Sequence, residues 1–493
     1  MSEQSRRNFL ISIGGTLVGP FLMPGEATGT SESVLETAKA TGVSLPPSME
    51  VMELASLPTW GMRHVLPIDK ELPVVHYTNK DGESWAWWPA DDEELQAMES
   101  FYAATRTPGR PNVPVEEVFP IQRSPQELQL IQQIVANAND PQPKLAYAKW
   151  LDAQGSQQGE LIRVQCQMAQ LGSGQKFDEL QDREQALLDQ HAKEWFKPLA
   201  AVGLWPMRGT EFEPRLFLNG GVIDTLFIFE TGVLPRYASE LHQAAPAVST
   251  LWLNTRDADI PAVVQIPWMD QIVFLRLRNE REFVFSDEDL LAMVDSPYLN
   301  SLNIFTTDSG HVTPYSKFLS GKGMGALCES DLFGRLEILD MDYLKGEASA
   351  CLSKSTRPDS MLYVKLIQCD FEDDASFEHY RKGLEHLHLL HSRISFDCLR
   401  QLVDGQWSSL IHLCLTGTNI ADQGAQILAD AEGLNELQYL SLADTGITAE
   451  GASALAQSPH LQQLNQVMLS YDAVGDEGVE VMRAAFGDRA TFC

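Results

Sequence analysis

The sequence predicts an α/β fold in which a long series of strand–helix repeats with a parallel sheet follows a small helical domain. Three observations lead to this prediction. Between residues 124 and 196, apolar residues recur with the period of amphipathic helices. Beyond Arg208 the spacing L-x-x-L-x-L recurs, and a helical segment follows each copy. The chain is 44% hydrophobic, so it can bury a sizeable core despite a net charge of −32.

Composition and missing motifs exclude several functional classes. A net charge of −32 disfavours a nucleic-acid-binding surface, which needs clustered positive charge. The chain has 7 Cys, too few for a disulfide-built scaffold, and lacks the CxxC spacing of zinc ribbons and thioredoxin-type sites. HExxH, GxSxG and GxxxxGK[ST] are also missing. We therefore expect no enzymatic activity and no cofactor.

Residues 1–27 have the features of an export signal. Arg6 and Arg7 precede an apolar run over residues 11–23, which is shorter than the roughly 20 residues that a membrane-spanning helix needs. The string SRRNFL resembles the twin-arginine signal, with Ile11 where that signal often carries Lys. The resemblance implies a periplasmic or exported protein without an integral membrane anchor. The alternative is a cytoplasmic protein with an uncleaved N-terminus.

The segment 28–120 is rich in Pro and Trp and has no assigned function. Within it, the alternation at residues 74–77 predicts a strand, and Asp81-Gly82 predicts a hairpin turn. Trp85, Trp87 and Trp88 are expected to form core rather than a ligand platform.

Residues 121–205 are predicted to form a domain of four amphipathic helices. Ser124-Pro125 and Asp140-Pro141 each pair an N-cap residue with Pro at the first helical position. Residues 143–195 contain a Tyr-Ala-x-Trp-Leu run, a Gly and a Glu-hydrophobic-Ile-Arg-hydrophobic-Gln run, at Tyr147, Trp150, Leu151, Gly155, Glu160, Ile162, Arg163 and Gln165. This pattern resembles the repeat-companion domain that precedes leucine-rich repeats in certain bacteria. The resemblance implies an architecture and transfers no catalytic activity.

Residues 206–493 are predicted to form a leucine-rich-repeat solenoid with a parallel concave sheet and a helical convex side. The clearest copies start 27 residues apart, at Leu410, Leu437 and Leu464. Weaker copies start at Ile223, Val248, Ile272, Leu299, Phe333, Met361 and Leu384. This makes about ten repeats, most of them within the 20–29-residue period of the class. The pattern around Thr445, Ile447 and Gly451-Ala452 resembles ribonuclease-inhibitor-type repeats.

Side-chain alternation predicts which residues face a partner. Positions +2, +4 and +6 of each copy are expected on the concave sheet, where they include four basic residues and one acid. Arg and aromatic residues on a rigid surface are typical of protein-binding sites. We therefore expect a protein partner on this face. The predicted contact residues are Arg276, Arg278, Phe305, Arg335, Glu337, Tyr363, Lys365, His386, His388, His412 and Tyr439.

Four of the concave positions also form a possible metal site. His386 and His388 occupy +2 and +4 of one copy, and His412 and Cys414 occupy the same positions of the next. In register, they would lie about 4.8 Å apart between strands and about 6.8 Å apart along each strand. Three imidazoles and a thiolate can bind zinc. The sequence favours general binding, with a metal protein or an enzyme using this cluster or segment 28–120 as the alternative.

Overall fold

The computed structural model describes an α/β protein. The described residues are 51–53, 75–78, 84–87, 113–138, 140–171, 174–204, 217–228, 233–254, 259–279, 285–309, 319–358, 360–371, 375 and 377–493. The predicted export signal at residues 1–27 lies outside this set. The chain divides into two compact units, one of residues 1–119 and 178–216 and the other of residues 120–177 and 217–493.

The first unit contains a small antiparallel sheet of three strands, β1 (Val51–Glu53), β2 (Val75–Thr78) and β3 (Ser84–Trp87), in the order β1-β3-β2. Strand β2 confirms the strand expected over residues 74–77. Pairing of Thr78 with Ser84 fits the predicted hairpin, although the turn at Asp81-Gly82 lies outside the described residues. The same unit holds a 3-10 turn (Val115–Glu117) and α5 (Lys197–Ala201).

All four helices expected between residues 121 and 205 are present. They are α1 (Pro125–Ala136), α2 (Pro141–Ala153), α3 (Gln158–Met168) and α4 (Gln175–Trp195). The predicted caps are confirmed, because Ser124 Oγ accepts from the Glu127 amide at 3.1 Å and Asp140 Oδ1 accepts from the Gln142 amide at 2.9 Å.

Helices α1–α3 belong to the second unit and share a hydrophobic core with residues near its first strands. Their buried residues cluster with Val222 and Ala247. Gly221, at φ +77°, brings its backbone against α3, where a Cβ would lie 2.5 Å from Ile162 Cα. Its amide donates to Gln165 Oε1 at 2.6 Å. A residue with a side chain would be strained here both by its backbone conformation and by this contact.

The second unit is built on a parallel sheet of eleven strands in the order β18-β17-β16-β15-β13-β11-β10-β9-β8-β7-β6. The strands are β6 (Thr225–Ile228), β7 (Thr250–Asn254), β8 (Phe274–Asn279), β9 (Ile304–Ser309), β10 (Ile338–Asp342), β11 (Tyr363–Ile367), β13 (His386–Leu390), β15 (His412–Cys414), β16 (Tyr439–Leu442), β17 (Gln466–Leu469) and β18 (Ala490–Phe492). Two short pairs lie outside this sheet, namely β4 (Leu218–Asn219) with β5 (Val222–Ile223), and β12 (Asp370–Phe371) with β14 (Arg393–Ile394).

Helices occupy the connections between the strands of the large sheet. They are α6 (Val233–Arg236), α7 (Ala238–Ala244), α8 (Ile260–Val263), α9 (Asp287–Val294), α10 (Gly321–Glu329), α11 (Asp331–Arg335), α12 (Glu347–Ser353), α13 (Phe396–Val403), α14 (Ala421–Ala429), α15 (Ala449–Gln457) and α16 (Tyr471–Phe486). Three 3-10 helices complete the described connections, at Pro267–Gln271, Glu378–Lys382 and Gly487–Arg489. None of the helices in the described ranges is long and apolar enough to cross a membrane.

Strand register aligns the repeated leucines into continuous buried rows. One row joins Leu226, Leu251, Leu275, Phe305, Leu339, Val364, Leu387, Leu413, Leu440 and Val467. Every member of this row is at most 2% exposed. A buried row of this kind is the expected result of the +3 leucine of each predicted copy, because residues at the same position in parallel strands lie on the same face.

Two of the ten predicted copies are displaced by three residues. The aligned position +3 is Phe305 in β9 and Leu339 in β10, so these copies start at Leu302 and Leu336 rather than at Leu299 and Phe333. The sequence was ambiguous because large apolar residues recur every three residues there, at Leu299, Leu302 and Phe305 and again at Phe333, Leu336 and Leu339. In the first copy the spacing even favours the wrong frame, because Ile304 ends the Leu299 frame and Thr307 ends the Leu302 frame. The structure also adds an eleventh strand, β18, which pairs with β17 through Ala490 and Val467.

The spacing of the glycines in the SGKGMGAL segment is similar to that of a phosphate-binding loop, but these glycines lie at the entry of helix α10. Ser320 caps α10, its Oγ accepting from the Lys322 amide at 3.1 Å. Gly323 packs against the carboxylate of Asp287, where a Cβ would overlap the Asp287 Oδ1 atom. Close packing between successive helices therefore accounts for this glycine.

Candidate functional site

The face of the large sheet opposite the leucine rows carries chemically varied side chains, and we call it the mixed face. Its first row is Thr225, Thr250, Phe274, Ile304, Ile338, Tyr363, His386, His412, Tyr439 and Gln466. Its second row is Phe227, Trp252, Arg276, Thr306, Asp340, Lys365, His388, Cys414, Ser441 and Met468. Members of a row are neighbours on adjacent strands, about 4.8 Å apart.

Eight of the eleven predicted contact residues lie on this face. Arg276, Tyr363, Lys365, His386, His388, His412 and Tyr439 belong to the two rows, and Arg278 follows Arg276 by two residues on β8. Arg276 is buried, with its guanidinium 4.5 Å from the centre of the Trp252 ring. Phe227 is also buried, in T-shaped contact with Trp252. The second row is thus largely covered between β8 and β15.

The remaining three predicted residues, Phe305, Arg335 and Glu337, are not on the mixed face. Phe305 belongs to the buried leucine row. Arg335 ends helix α11, and its Nη2 donates to Leu299 O at 3.3 Å. Glu337 precedes β10, where its amide donates to Asn303 O at 2.7 Å. All three displacements follow from the three-residue shift of the two ambiguous copies.

The corrected frame places acids that the sequence analysis missed. Asp340 and Asp342 are buried on the mixed-face side of β10, and register places Asp308 beside Arg278. Three acids now balance Arg276, Arg278 and Lys365, so the expected positive bias of this face is wrong. The sequence did contain a signal for the correct frame, because Ser330 is a helix N-cap residue. The helix that begins there runs to Arg335, so the strand has to start after Arg335.

Lys365 and Asp340 form an ion pair across adjacent strands. Lys365 Nζ lies 2.9 Å from Asp340 Oδ2, and the two side chains are 12% and 5% exposed. The pair occupies the second row immediately before His388. A buried pair of this kind keeps the polar row neutral at this position.

Three histidines converge beside this ion pair. Each of His386, His388 and His412 offers a ring nitrogen that lies within 4.8 Å of those of the other two. The ring centres of His388 and His412 are 4.6 Å apart, and those of His386 and His412 are 5.6 Å apart. His388 is buried, whereas His386 and His412 are partly exposed. The predicted register of these strands is confirmed, because His386 pairs with His412 and His388 with Cys414.

Burial keeps these imidazoles neutral. It lowers the pKa of His386 to about 4, with a smaller contribution from His412. Burial also lowers the pKa of His388 well below its ordinary value, with His412, His386 and Lys365 acting in the same direction, and it lowers that of His412. Near neutral pH each ring therefore retains a nitrogen lone pair.

Cys414, the fourth residue of the predicted metal set, is not part of this convergent group. Among the described residues, the atoms brought together are those of the three histidines. The Cys414 thiol instead donates to Thr416 Oγ1 at 3.3 Å, and Thr416 is hydrogen-bonded to Ser441 at 2.8 Å. The thiol therefore takes part in a hydrogen-bonded chain along the sheet.

The first row carries a ladder of four rings across β11, β13, β15 and β16. Tyr363 lies 5.6 Å from His386, and His412 lies 5.7 Å from Tyr439, measured between ring centres. Tyr439 is the outermost ring of the ladder and is 38% exposed. The ladder therefore ends in the exposed ring of Tyr439, and the two imidazoles at its centre are partly exposed. In comparisons with known proteins, no family model matches this chain and no curated protein matches it, so the candidate site is defined by its geometry.

Proposed function

We propose that the chain is a non-enzymatic interaction protein with a leucine-rich-repeat architecture, and that its mixed face binds a protein partner. Eleven parallel strands in sequence order, with aligned buried leucine rows, support the repeat assignment. A repeat sheet offers a long rigid surface on which side chains vary while the core is maintained. Export by the signal at residues 1–27 is part of the proposal.

The exposure of Tyr439 carries the proposal. Large hydrophobic residues that stand exposed in the described chain include Leu128, Tyr439 and Tyr471, and of these Tyr439 lies on the mixed face. Tyr is enriched at binding sites because it combines apolar area with a polar end. His412, Gln466 and Met468 are partly exposed beside it. We therefore place the partner site on β15–β17, away from the buried Arg276.

The test is site-specific photo-cross-linking in the native host. A photoreactive phenylalanine analogue replaces Tyr439 in the full chain, and the same analogue replaces Tyr471 as the control. Tyr471 is 47% exposed, at the start of α16 rather than on a strand. We expect one discrete cross-linked protein with the analogue at 439 that is missing with the analogue at 471.

A second variant connects the cross-link to binding. Gln466→Arg enlarges a partly exposed neighbour of Tyr439 on β17, and we expect it to reduce the cross-link at least tenfold. Equal cross-linking from both tyrosine positions, or none from position 439, would contradict the proposed binding face.

Metal binding is the second candidate function, and the convergence of the three histidines favours it. It does not require a protein partner.

A further inference from the structure

We propose that His386, His388 and His412 bind one divalent transition-metal ion on the mixed face of the sheet. The three imidazole donors indicate that this ion is zinc. The proposal goes beyond partner binding and does not depend on it. It rests on the donor set, on the backbone that holds it and on an unpartnered buried nitrogen.

The donor set fits zinc. Three imidazole nitrogens within 4.8 Å of one another need to approach to about 3.3 Å for tetrahedral coordination with metal–nitrogen bonds of about 2.0 Å. Metal binding would therefore require the imidazole rings to rotate toward one another. Three nitrogen ligands without a carboxylate favour zinc and its neighbours in the transition series over magnesium or calcium.

The backbone around the donors is already in place. His386 and His388 share β13, and His412 lies opposite His386 on β15. The leucines that alternate with them, Leu387, Leu389 and Leu413, are completely buried. Since these neighbours anchor both strands, the histidine Cα atoms do not have to move, and the cost of assembling the site is confined to side-chain rotation.

His388 gives the second, independent observation. It is 7% exposed, and its Nε2 has no hydrogen-bond partner among the residues that the structure describes. A buried polar atom without a partner destabilises the folded state, because it has lost its hydrogen bonds to water and gained none. A metal ion bound at this nitrogen removes that destabilisation. The hydroxyl of Tyr363, whose ring centre lies 5.0 Å from that of His388, is likewise without a partner in the described part of the chain.

The surroundings tolerate a cation. The cationic side chain next to His388, Lys365, is already neutralised by Asp340 at 2.9 Å. Because Cys414 is engaged with Thr416, the protein offers three ligands, and the partly exposed His386 and His412 leave the fourth position open to water. Three protein ligands with one open position is the arrangement of zinc sites that exchange their fourth ligand.

A ladder of tilted rings without a metal is the competing explanation, because ring contacts between Tyr363, His386, His412 and Tyr439 also stabilise a sheet. The two explanations differ in how they respond to substitution. A ladder requires rings at these positions, whereas a metal site requires their nitrogen atoms.

The experiment uses the full chain, freed of metal with a chelator and then titrated with Zn²⁺ against a chromophoric competitor. We expect one zinc ion per chain, and at least 100-fold weaker binding in each of His386→Gln, His388→Gln and His412→Gln. His379→Gln, which alters an exposed histidine on the Glu378–Lys382 turn, is the matched control and is expected to bind as the wild type does. Co²⁺ in place of zinc is expected to give the intense visible bands of a tetrahedral site.

Two results would overturn the proposal. One is a wild-type chain that takes up less than a tenth of an equivalent of zinc, and the other is unchanged affinity in His386→Gln and His412→Gln. The latter two positions are partly exposed, so their variants test the site even where His388→Gln does not fold. His412→Phe retains a ring, so a fold that persists while zinc binding is lost separates the metal site from the ladder. Cross-linking at position 439 is measured on the same variants, which keeps a failure here distinct from failure of the partner-binding proposal.

Discussion

At the scale of single residues, the mixed face depends on buried charges that compensate one another. The Lys365–Asp340 pair has side chains 12% and 5% exposed, while the Arg400–Asp397 pair on α13 has side chains 46% and 62% exposed. Water screens the second pair and not the first. The two pairs therefore have very different consequences when one member is removed.

Neutralising one member of each pair tests this difference. Asp340→Asn leaves the Lys365 charge without its carboxylate, and we expect it to lower the free energy of unfolding by about 3 kcal/mol. Asp397→Asn should lower it by less than about 1 kcal/mol. Denaturant unfolding followed by circular dichroism measures both. Equal losses would show that the Lys365–Asp340 pair is solvated in solution.

The pH dependence of stability can be tested at His242. Its ring stacks on Trp268 with 5.9 Å between ring centres, and its Nε2 lies 3.3 Å from Gln271 Oε1. Burial lowers the pKa of His242. Gln271 and Asp270 partly oppose the shift, while Arg123 adds to it. Because the folded-state pKa is depressed, the unfolded chain takes up a proton first, and stability is lost as the pH falls below about 6.5.

His242→Gln removes this proton-linked loss. We expect the variant to lose less stability than the wild type between pH 7 and pH 5, as measured by urea unfolding at each pH. His379→Gln, at an exposed position, should follow the wild-type curve. Parallel curves for the wild type and His242→Gln would refute the assignment.

At the scale of elements, a carboxylate in the first turn of one helix binds the N-terminus of the next helix in two places. Asp422 Oδ1 on α14 accepts from the amides of Thr448 and Gly451 at 2.7 and 3.0 Å, and Oδ2 accepts from the Thr448 hydroxyl at 2.8 Å. Asp287 on α9 makes the equivalent bond to the Ser320 amide at 2.8 Å. The glycine three residues beyond each capping residue, Gly451 or Gly323, allows the carboxylate to approach.

Asp422→Ala removes three hydrogen bonds at the N-terminus of α15, and we expect a loss of about 2 kcal/mol in the free energy of unfolding. Asp430→Ala, at the exposed end of α14, loses contacts to Gln426 only and should change stability by less than about 0.5 kcal/mol. Calorimetry of both variants gives the comparison. A similar melting temperature for the two would mean that the helices dock through apolar contacts alone.

The same carboxylate contact explains a sequence pattern. Gly323 lies in the SGKGMGAL segment, and Gly451 lies in the Thr445–Ala452 segment. At each position a Cβ would collide with the aspartate of the preceding helix. This contact between helices explains both glycines, and spacing alone does not reveal it.

At the scale of the whole molecule, the net charge of the chain does not indicate how charge is distributed over the mixed face. The chain carries a net charge of −32, yet the charged groups of the mixed face balance one another. The excess of acid therefore lies elsewhere on the chain. Under the partner-binding proposal, recognition then depends on Tyr439 and its neighbours rather than on attraction between opposite charges.

The proposed export signal at residues 1–27 can be tested directly. Arg6→Lys with Arg7→Lys keeps the charge but removes the paired arginines that the twin-arginine receptor recognises. We expect the double variant to be retained in the cytoplasm, as measured by fractionation and immunoblotting in the native host. Arg393→Lys with Arg400→Lys, at exposed positions, should leave localisation unchanged. Export of the Arg6/Arg7 variant at the wild-type level would refute the signal assignment.

The sequence by itself determined the α/β class, the four helices with their caps, most of the strand registers and the alignment of the histidines. Each of these depends on local spacing, which is preserved when the chain folds. Tertiary structure decided the frame of the copies at Leu302 and Leu336, because large apolar residues at every third position allow two alignments and only pairing with the neighbouring strands selects one. It also decided which polar residues are buried. Arg276 and Cys414 became internal while Tyr439 stayed exposed, because burial depends on what packs over a residue rather than on its position in a repeat.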